Sequence, residues 1–519
     1  MSLTHTTKTF LFYDFETFNL KSKGGRVSQF ASIRTDEDLK IIDHTAINLF
    51  CEQTIDNIPS PIAALTTGLT PQKIKRIKDG VENPPQGNIS SNPQVLNEYF
   101  FTKRILEEMC VANTCTLGYN SILFDDEFTR NLAYRNLNDP YEREWKDNNS
   151  RFDVFHLVMA TYVLRPQLLV FPVSHNKTTG EIELNPLTNN PLPSLRLEDL
   201  SVANGISHGN AHDAFSDVEA TIGLMKKVKD QDNEFFNQIL DFKYKRNVFQ
   251  WLLKNNGRPF VHISQFYGKV NNLCAVVKYA IPHPTQNSAI ICIDLSKDIA
   301  PIINLNTDDL SKLVFSKREE LADINQERPG IVVIRGNQCP VLADINDIKD
   351  RFETLNIDPE LLRRNLDLYN QNEKSINEKL NAIYNTKYEI EIEDTDLMIY
   401  SSGFFSDNEK AMMFSFHRRV ESGEVKDALS HVGTGFLYSM ALKLIARNFS
   451  SELTLEGRNW WMAYARERIS NKYLGAEYTI QDFNEEILEL KQSDLSHDKL
   501  AILEELEEYV DTLKRTLNL

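Results

Sequence analysis

The sequence contains no stretch approaching the ~18 consecutive apolar residues of a membrane-spanning helix, which sets aside an integral helical membrane protein. Cysteine is sparse and scattered: Cys51, Cys110, Cys115, Cys274, Cys292 and Cys339 include no Cys-x-x-Cys pair. Neither a zinc ribbon nor a dithiol redox motif is therefore written in the chain, and the scatter fits reduced thiols in the cytoplasm. No internal repeat and no low-complexity tract is present. The polar segment Met1–Lys8 lacks the basic and long apolar regions of a secretory signal, so the expected location is cytoplasmic. Basic charge is also in short supply. Lys and Arg total 57 against 74 Asp and Glu, a net charge of −17. That balance excludes a protein that coats nucleic acid or anionic membrane by bulk charge, although it permits a focused basic groove.

What is present is ordinary globular material: 519 residues, 41% hydrophobic and 25% charged. At roughly 150 residues per domain the length suggests about three domains. The first part interleaves strand and helix patterns. Phe10–Tyr13, Gln29–Thr35, Ile41–Cys51 and Cys115–Tyr119 read as strands. Pro71–Lys78, Val95–Ala112, Asp126–Tyr134, Val154–Leu164 and Asp213–Lys229 read as helices. Residues 176–193 are polar and rich in Pro and Asn, the pattern of a surface loop. After about Asn233 one helical stretch, Phe235–Lys254, leads into short β runs at Val261–Ser264, Cys274–Ala280, Ala289–Asp294 and Ile331–Arg335. From about Glu373 the pattern is mostly helical. The expected organisation is α/β at 1–231, β-rich at 232–372 and helical at 373–519.

Three acidic words stand at ends of predicted elements. In Asp14-Phe15-Glu16 the two carboxylates project to the same side of a strand end; alone the word fits a solvated strand end. Asp125-Asp126-Glu127 opens a helix, where negative charge suits the dipole. His212-Asp213-Ala-Phe-Ser-Asp217 starts the next helix, and by itself reads as a cap. Together, Asp14, Glu16, Asp125 and Asp217 supply the hard oxygen ligands that Mg²⁺ or Mn²⁺ prefers. Two ions about 4 Å apart clamp the attacking and leaving oxygens of a phosphoryl transfer. A histidine beside them can take the proton of the attacking water.

The order Asp14-x-Glu16, Asp125, His212-x4-Asp217 resembles the three motifs of the DEDDh subgroup of DnaQ-like 3′→5′ exonucleases. Longer words narrow the resemblance. Phe12-Tyr-Asp-Phe-Glu-Thr-Phe18, Gln29-Phe-Ala-Ser-Ile-Arg-Thr-Asp36, Gly118-Tyr-Asn120, Leu192-Pro-Ser-Leu-Arg-Leu-Glu198 and Asn210-Ala-His-Asp-Ala214 look like the bacterial exodeoxyribonuclease I family. So do Pro259-Phe-Val-His-Ile-Ser264, Cys339-Pro-Val-Leu-Ala343 and Gly403-Phe-Phe-Ser-Asp407 further on. The resemblance implies an RNase H-like nuclease domain, an SH3-like β domain and an all-α C-terminal domain closing around single-stranded DNA. The implied reaction is processive, Mg²⁺-dependent 3′→5′ hydrolysis to 5′-mononucleotides, in DNA repair and recombination. By position it implies Asp14, Glu16, Asp125 and Asp217 as ligands of two Mg²⁺ ions, Mn²⁺ being a substitute, and His212 as general base. Glu16 and Arg196 would meet the scissile end of the DNA. Arg130, Tyr141, Trp145 and Arg165 would line the strand path. It further implies a monomer that binds the acidic C-terminal tail of single-stranded DNA-binding protein.

A single-strand groove needs a basic track and aromatic platforms. Lys73-Ile-Lys-Arg-Ile-Lys78 and Asp241-Phe-Lys-Tyr-Lys-Arg246, continuing to Trp251, Lys254 and Arg258, offer both; each also fits a solvated helix face. Tyr141 and Trp145, four apart, would share one helix face. Two rival functions remain at this point: a 3′ RNA exonuclease with the same motifs, whose relatives are short single domains, and a catalytically dead DNA-binding scaffold, which would usually have lost one of the five catalytic residues.

Overall fold

The computed structural model describes residues 7–84, 93–176, 179–206, 213–323, 326–385, 394–472 and 478–519. The chain divides into two compact units, one built from residues 1–150, 208–222 and 390–519, the other from 151–207 and 223–389.

The first unit is organised on a mixed sheet. Strands β1 (Thr9–Thr17), β2 (Val27–Thr35), β3 (Ile47–Cys51), β4 (Gln94–Leu96) and β5 (Thr114–Gly118) lie in the order β4-β3-β2-β1-β5. β1 runs antiparallel to β2 and parallel to β5. The two central strands are buried along nearly their whole length, as strands covered on both faces must be. Around the sheet pack α1 (Pro61–Thr67), α2 (Pro71–Lys78), α3 (Glu98–Met109) and α4 (Asp125–Arg135). Helix α2 starts where the sequence predicts: Thr70 accepts from the Lys73 N–H and Pro71 occupies the first turn, where its missing N–H costs nothing. After Ser150 the chain enters the second unit with β6 (Ser150–Asp153), α5 (Val154–Leu164) and α6 (Leu197–Ala203), and it returns to the first for the start of α7 (Ala214–Gln231), of which the part up to Ile222 belongs there.

The second unit carries an antiparallel sheet in the order β10-β9-β8-β7-β11, made of β7 (Phe260–Ile263), β8 (Cys274–Pro282), β9 (Ala289–Asp294), β10 (Ile331–Arg335) and β11 (Val341–Asp344). Its helices include α8 (Asn233–Leu240), α9 (Lys245–Lys254), α10 (Ala300–Asn304), α11 (Thr307–Phe315), α12 (Arg318–Asp323) and α13 (Pro359–Tyr384). The last helices, α14 (Asp407–Glu421), α15 (Val425–Ala428), α16 (Phe436–Asn448), α17 (Leu455–Ser470), α18 (Ile480–Lys491) and α19 (His497–Leu517), return to the first unit. No helix among the described residues is long and apolar enough to cross a membrane.

Four sequence expectations change. The strand expected at Ile41–Cys51 begins only at Ile47, because His44 takes φ 63° and the chain turns there. The helix expected from Val95 begins at Glu98: residues 94–96 pair with β3, and the Asn97 side chain caps the helix by accepting from the Phe100 N–H. Phe235–Lys254 is two helices rather than one, broken where Tyr244 adopts extended backbone (φ −101°, ψ 117°). Finally, α13 runs unbroken through residue 372, so the boundary placed there falls inside a helix.

The C-terminal helices are not packed as a separate body from the first sheet. Tyr99, Tyr134 and Leu137 share one apolar core with Phe416, Met440 and Leu444. Ile58 and Ala64 share another with Leu503, Leu506 and Val510. Between these cores lies a buried ionic network. Arg447 pairs with Asp56 at 3.0 Å and Asp396 at 2.7 Å, and lies 3.7 Å from Glu98. Arg26 pairs with Asp56 at 2.9 Å, Arg135 with Glu98 at 2.8 Å and Lys443 with Asp396 at 2.9 Å. Burial alone would push the Glu98 carboxyl up, but the guanidiniums of Arg135, Arg26 and Arg447 overcome it and bring it down to about 2. Asp396 is likewise desolvated, yet Lys443 and Arg447 hold it at about 2. Such carboxylates contribute stability that is present at neutral pH and lost as pH falls from the ordinary carboxyl range toward about 2.

Removing one partner of a buried pair strands the other charge. Arg447→Met is therefore expected to cost about 3–5 kcal/mol in guanidinium unfolding at pH 7. The deficit should shrink as pH falls from about 4, where carboxyls of the unfolded chain protonate, toward about 2, where Glu98 and Asp396 do so in the native protein; a pH-independent deficit would contradict the network.

Candidate active site

Glycine opens the site. An added Cβ at Gly118, the last residue of β5, would lie 2.7 Å from the Ser121 Cβ and 2.9 Å from the Tyr13 carbonyl oxygen, so the strand can leave the sheet there only without a side chain. Asn120 then takes φ 60° and α4 begins at Asp125. This turn brings Asp125 beside β1, where its Oδ1 accepts from the Phe15 N–H at 3.1 Å. The bond lands between Asp14 and Glu16, the two residues that point from β1 to the same side.

The start of α7 supplies the third element. Carboxylate oxygens of Asp14, Glu16 and Asp217 all lie within 4.8 Å of one another. Glu16 is only 8% exposed, Asp125 is buried, and Asp14 and Asp217 are half-buried. Asp213 helps hold α7 in place. Its Oδ2 accepts from the Ser216 N–H at 3.3 Å and its Oδ1 from the Gln29 side-chain amide, also at 3.3 Å. His212 lies outside the described residues.

The electrostatics are unfavourable without a counter-charge. Burial, followed by Asp125, Asp217, Glu16 and Asp213, pushes the Asp14 carboxyl well up. Burial, followed by Asp217, Asp125 and Asp213, does the same for Glu16. Hard carboxylate oxygens gathered this closely fit a divalent cation of the Mg²⁺ or Mn²⁺ type, whose charge offsets the repulsion.

The expected strand-path residues lie in both units. In the first, Arg130 is buried and bonds Glu144 at 2.8 Å and Glu127 at 2.7 Å, with its guanidinium 5.4 Å from the Tyr141 ring centroid. Tyr141 and Trp145 flank a single 3₁₀ turn, Glu142–Glu144, so they do not share an α-helical face as expected. Tyr141 packs edge-on against Phe404 at 5.4 Å. Trp145 is 63% and Phe404 83% exposed, and Tyr400 is also exposed. Phe404 and Tyr400 were missed as aromatic surface. Their signal was the word Gly403-Phe-Phe, which also marks the family. In the second unit, Arg165 lies over Phe235 at 5.5 Å, and Arg196 stands immediately before α6 and pairs with Asp199 at 2.8 Å. Arg258 is exposed, with its Nε 3.2 Å from the Asn255 carbonyl oxygen.

The two basic stretches change meaning. Arg76 pairs with Glu82 and with Glu505 of α19, Lys78 pairs with Glu52, and Lys73 donates to the Gly68 carbonyl. That run docks helices and is largely neutralised locally. In the other, Trp251 packs edge-on against Phe242 and Phe260 in an apolar cluster, so it is no stacking platform. Lys243 and Arg246 flank the Tyr244 ring.

An α/β sheet ending in clustered hard carboxylates, followed along the chain by a β-rich sheet and a helical region, defines the class: a nuclease-type fold with a carboxylate cluster suited to a divalent cation. Comparison with known proteins narrows it. The model for the Exonuclease I SH3-like domain matches residues 243–386, and that for the Exonuclease I C-terminal domain matches 393–513. Exodeoxyribonuclease I of Escherichia coli (strain K12) is 32% identical over 512 residues, covering 97% of this chain and 98% of the relative. The crystal structure of E. coli Exonuclease I in complex with a dA16 oligonucleotide has a TM-score of 0.83 at 31% identity, covering 98% of this chain and 100% of that one. A zinc-ion-bound form of the E. coli enzyme with single-stranded DNA has a TM-score of 0.83 at 31% identity, covering 98% and 99%. A structure of SSB/Exonuclease I with an inhibitor has 0.80 at 30%, covering 98% and 100%. The chain belongs to the exodeoxyribonuclease I family.

Relieving the carboxylate repulsion should stabilise the metal-free protein. Glu16→Gln, measured by calorimetry in EDTA, is expected to gain about 1 kcal/mol, the trade that functional sites commonly show. A loss of stability would mean that the cluster is held by favourable contacts.

Proposed function

We propose that the protein is a Mg²⁺-dependent exonuclease that degrades single-stranded DNA from its 3′ end, processively, to 5′-mononucleotides. The observation that carries this reading is the convergence of Asp14, Glu16 and Asp217 within 4.8 Å, beside Asp125, in a chain of this family. In this reading residues 1–231 form the cutting domain, and the SH3-like and helical parts hold the strand.

Asp14, Glu16, Asp125 and Asp217 would hold two Mg²⁺ ions, with Mn²⁺ as substitute. When bound, the ions would lower the pKa of the attacking water and neutralise charge on the phosphoryl oxygens. The chain's own contribution is geometric and protonic. β1 fixes Asp14 and Glu16 at one strand end. The Phe15 N–H orients Asp125. His212 would accept the proton of the attacking water, directly before the helix that carries Asp217. Arg196 would meet the scissile phosphate. Its pairing with Asp199 holds the guanidinium in place beforehand, which limits reorganisation during reaction. The exposed Trp145 and Phe404 rings suit base stacking, which is sequence-tolerant because every base has a π-face. Arg130, Tyr141, Arg165 and Arg258 complete the proposed strand contacts.

The expected partner, besides single-stranded DNA, is the C-terminal tail of single-stranded DNA-binding protein. The protein would act as a cytoplasmic monomer in repair and recombination.

Digestion of 3′-blocked and unblocked single-stranded DNA and RNA, with Mg²⁺ or EDTA, tests the reading. Loss of unblocked DNA alone, dependent on Mg²⁺ and abolished in Asp14→Ala, is the expected result. His212→Ala should bind DNA normally and cut ~10²–10⁴-fold more slowly, as for a lost general base. Activity in EDTA would sink the metal mechanism, and faster cleavage of RNA would overturn the substrate.

A further inference from the structure

Directly behind the carboxylate cluster lies a second buried polar group that metal ligation itself does not use. The Tyr13 hydroxyl donates to Asp126 Oδ1 at 2.7 Å. Arg143 Nη2 donates to the same oxygen at 2.5 Å, and Arg143 Nη1 to Thr116 Oγ1 of β5 at 3.2 Å. All three members are essentially without solvent contact. Tyr13 immediately precedes Asp14, and Asp126 immediately follows Asp125. The group therefore ties β1, β5 and the first turn of α4 at the point where their ends present ligands.

Stability is a poor explanation for it. A buried ion pair is often no better than well-packed apolar residues of the same volume, and the Arg143 Nε is buried without an acceptor, which adds a desolvation cost. What such groups do best is fix register. Here the register in question is that of Asp125 against Asp14 and Glu16. The contact holding Asp125 there directly is the Phe15 N–H at 3.1 Å. That bond comes from β1 itself, and the Tyr13–Asp126 bond, two residues earlier on β1 and one later on α4, keeps it in alignment. Arg143 has a further effect: it neutralises Asp126, so that this carboxylate does not add its charge to the cluster.

We propose that Tyr13, Asp126 and Arg143 form a positioning triad that sets the spacing of Asp125 from Asp14 and Glu16, and thereby the affinity of the site for a divalent cation. The proposal rests on the metal-dependent reading above. Partners behind metal ligands typically change affinity or activity 10–100-fold when lost.

Calorimetric titration of Mn²⁺ into the metal-free full-length protein tests it, alongside the Mg²⁺ dependence of DNA digestion. Tyr13→Phe removes one hydroxyl and little else. Asp126→Asn combined with Arg143→Met removes the pair without stranding either charge. The expected result is about tenfold weaker Mn²⁺ binding in both variants. A matching rise in the Mg²⁺ concentration for half-maximal rate should accompany it, with the KM for DNA unchanged at saturating metal. Wild-type Mn²⁺ affinity in the Tyr13→Phe variant would overturn the triad, whatever happens to the melting temperature. A wild-type protein that binds no Mn²⁺ would overturn the metal-dependent reading and the triad together.

Discussion

Mutual repulsion among Asp14, Glu16, Asp125 and Asp217 is the constraint around which the first unit is arranged. These groups cannot drift apart, because two are fixed on one strand and the others on the first turns of two helices. They cannot be hydrated freely either, because Glu16 and Asp125 are buried. The outcome is that the charge on Asp14 and Glu16 is disfavoured by burial and by the neighbouring carboxylates. A fold keeps such an arrangement when a ligand charge completes it. Gly118, the Asn120 turn and the Asp213 cap are the local devices that enforce the proximity.

The contrast with the Arg447 network is instructive, since the two clusters lie in the same unit and use the same residue types. Asp56, Glu98 and Asp396 are as deeply buried as the site carboxylates, yet their pKa values are depressed. The difference is that every one of them touches a guanidinium or an ammonium. Compensated charge holds the C-terminal helices against the sheet; uncompensated charge is reserved for the sheet end. This division separates structural from functional carboxylates more clearly than burial does. It also ties the helical region to the sheet, because Arg447 answers Asp56 and Glu98 alongside Arg26 and Arg135.

Much of this was legible in the residues. The strand ending in Asp14-x-Glu16, the helix start within one residue of Asp126 and the helix carrying Asp217 are where periodicity placed them, because each is a largely buried element. Periodicity failed where local backbone decided the matter. The positive φ at His44 shortened a strand, and extended backbone at Tyr244 split a helix. It also failed where long-range pairing decided. Nothing in Lys73–Lys78 announces that Glu505, more than four hundred residues on, will neutralise Arg76, and nothing in the spacing of Tyr141 and Trp145 excludes an α-helix. Nor could the words Tyr13-Asp14 and Asp125-Asp126 show that the second acid would face away from the site and toward Arg143.

Those long-range pairings sharpen the meaning of the net charge of −17. The strongest basic run in the sequence is consumed in docking α2 onto α19, and Arg130 already answers two carboxylates. Little unpaired positive charge is left along these elements for a phosphate backbone. Where arginines are already paired, stacking, which is far less sensitive to salt than phosphate contacts are, would supply more of the binding energy. The rings of Trp145, Tyr400 and Phe404 are exposed. The acidic composition is thus compatible with a single-strand nuclease: in the proposed reading, sequence-tolerant aromatic contacts act beside the arginines, and cations would occupy the clustered carboxylates.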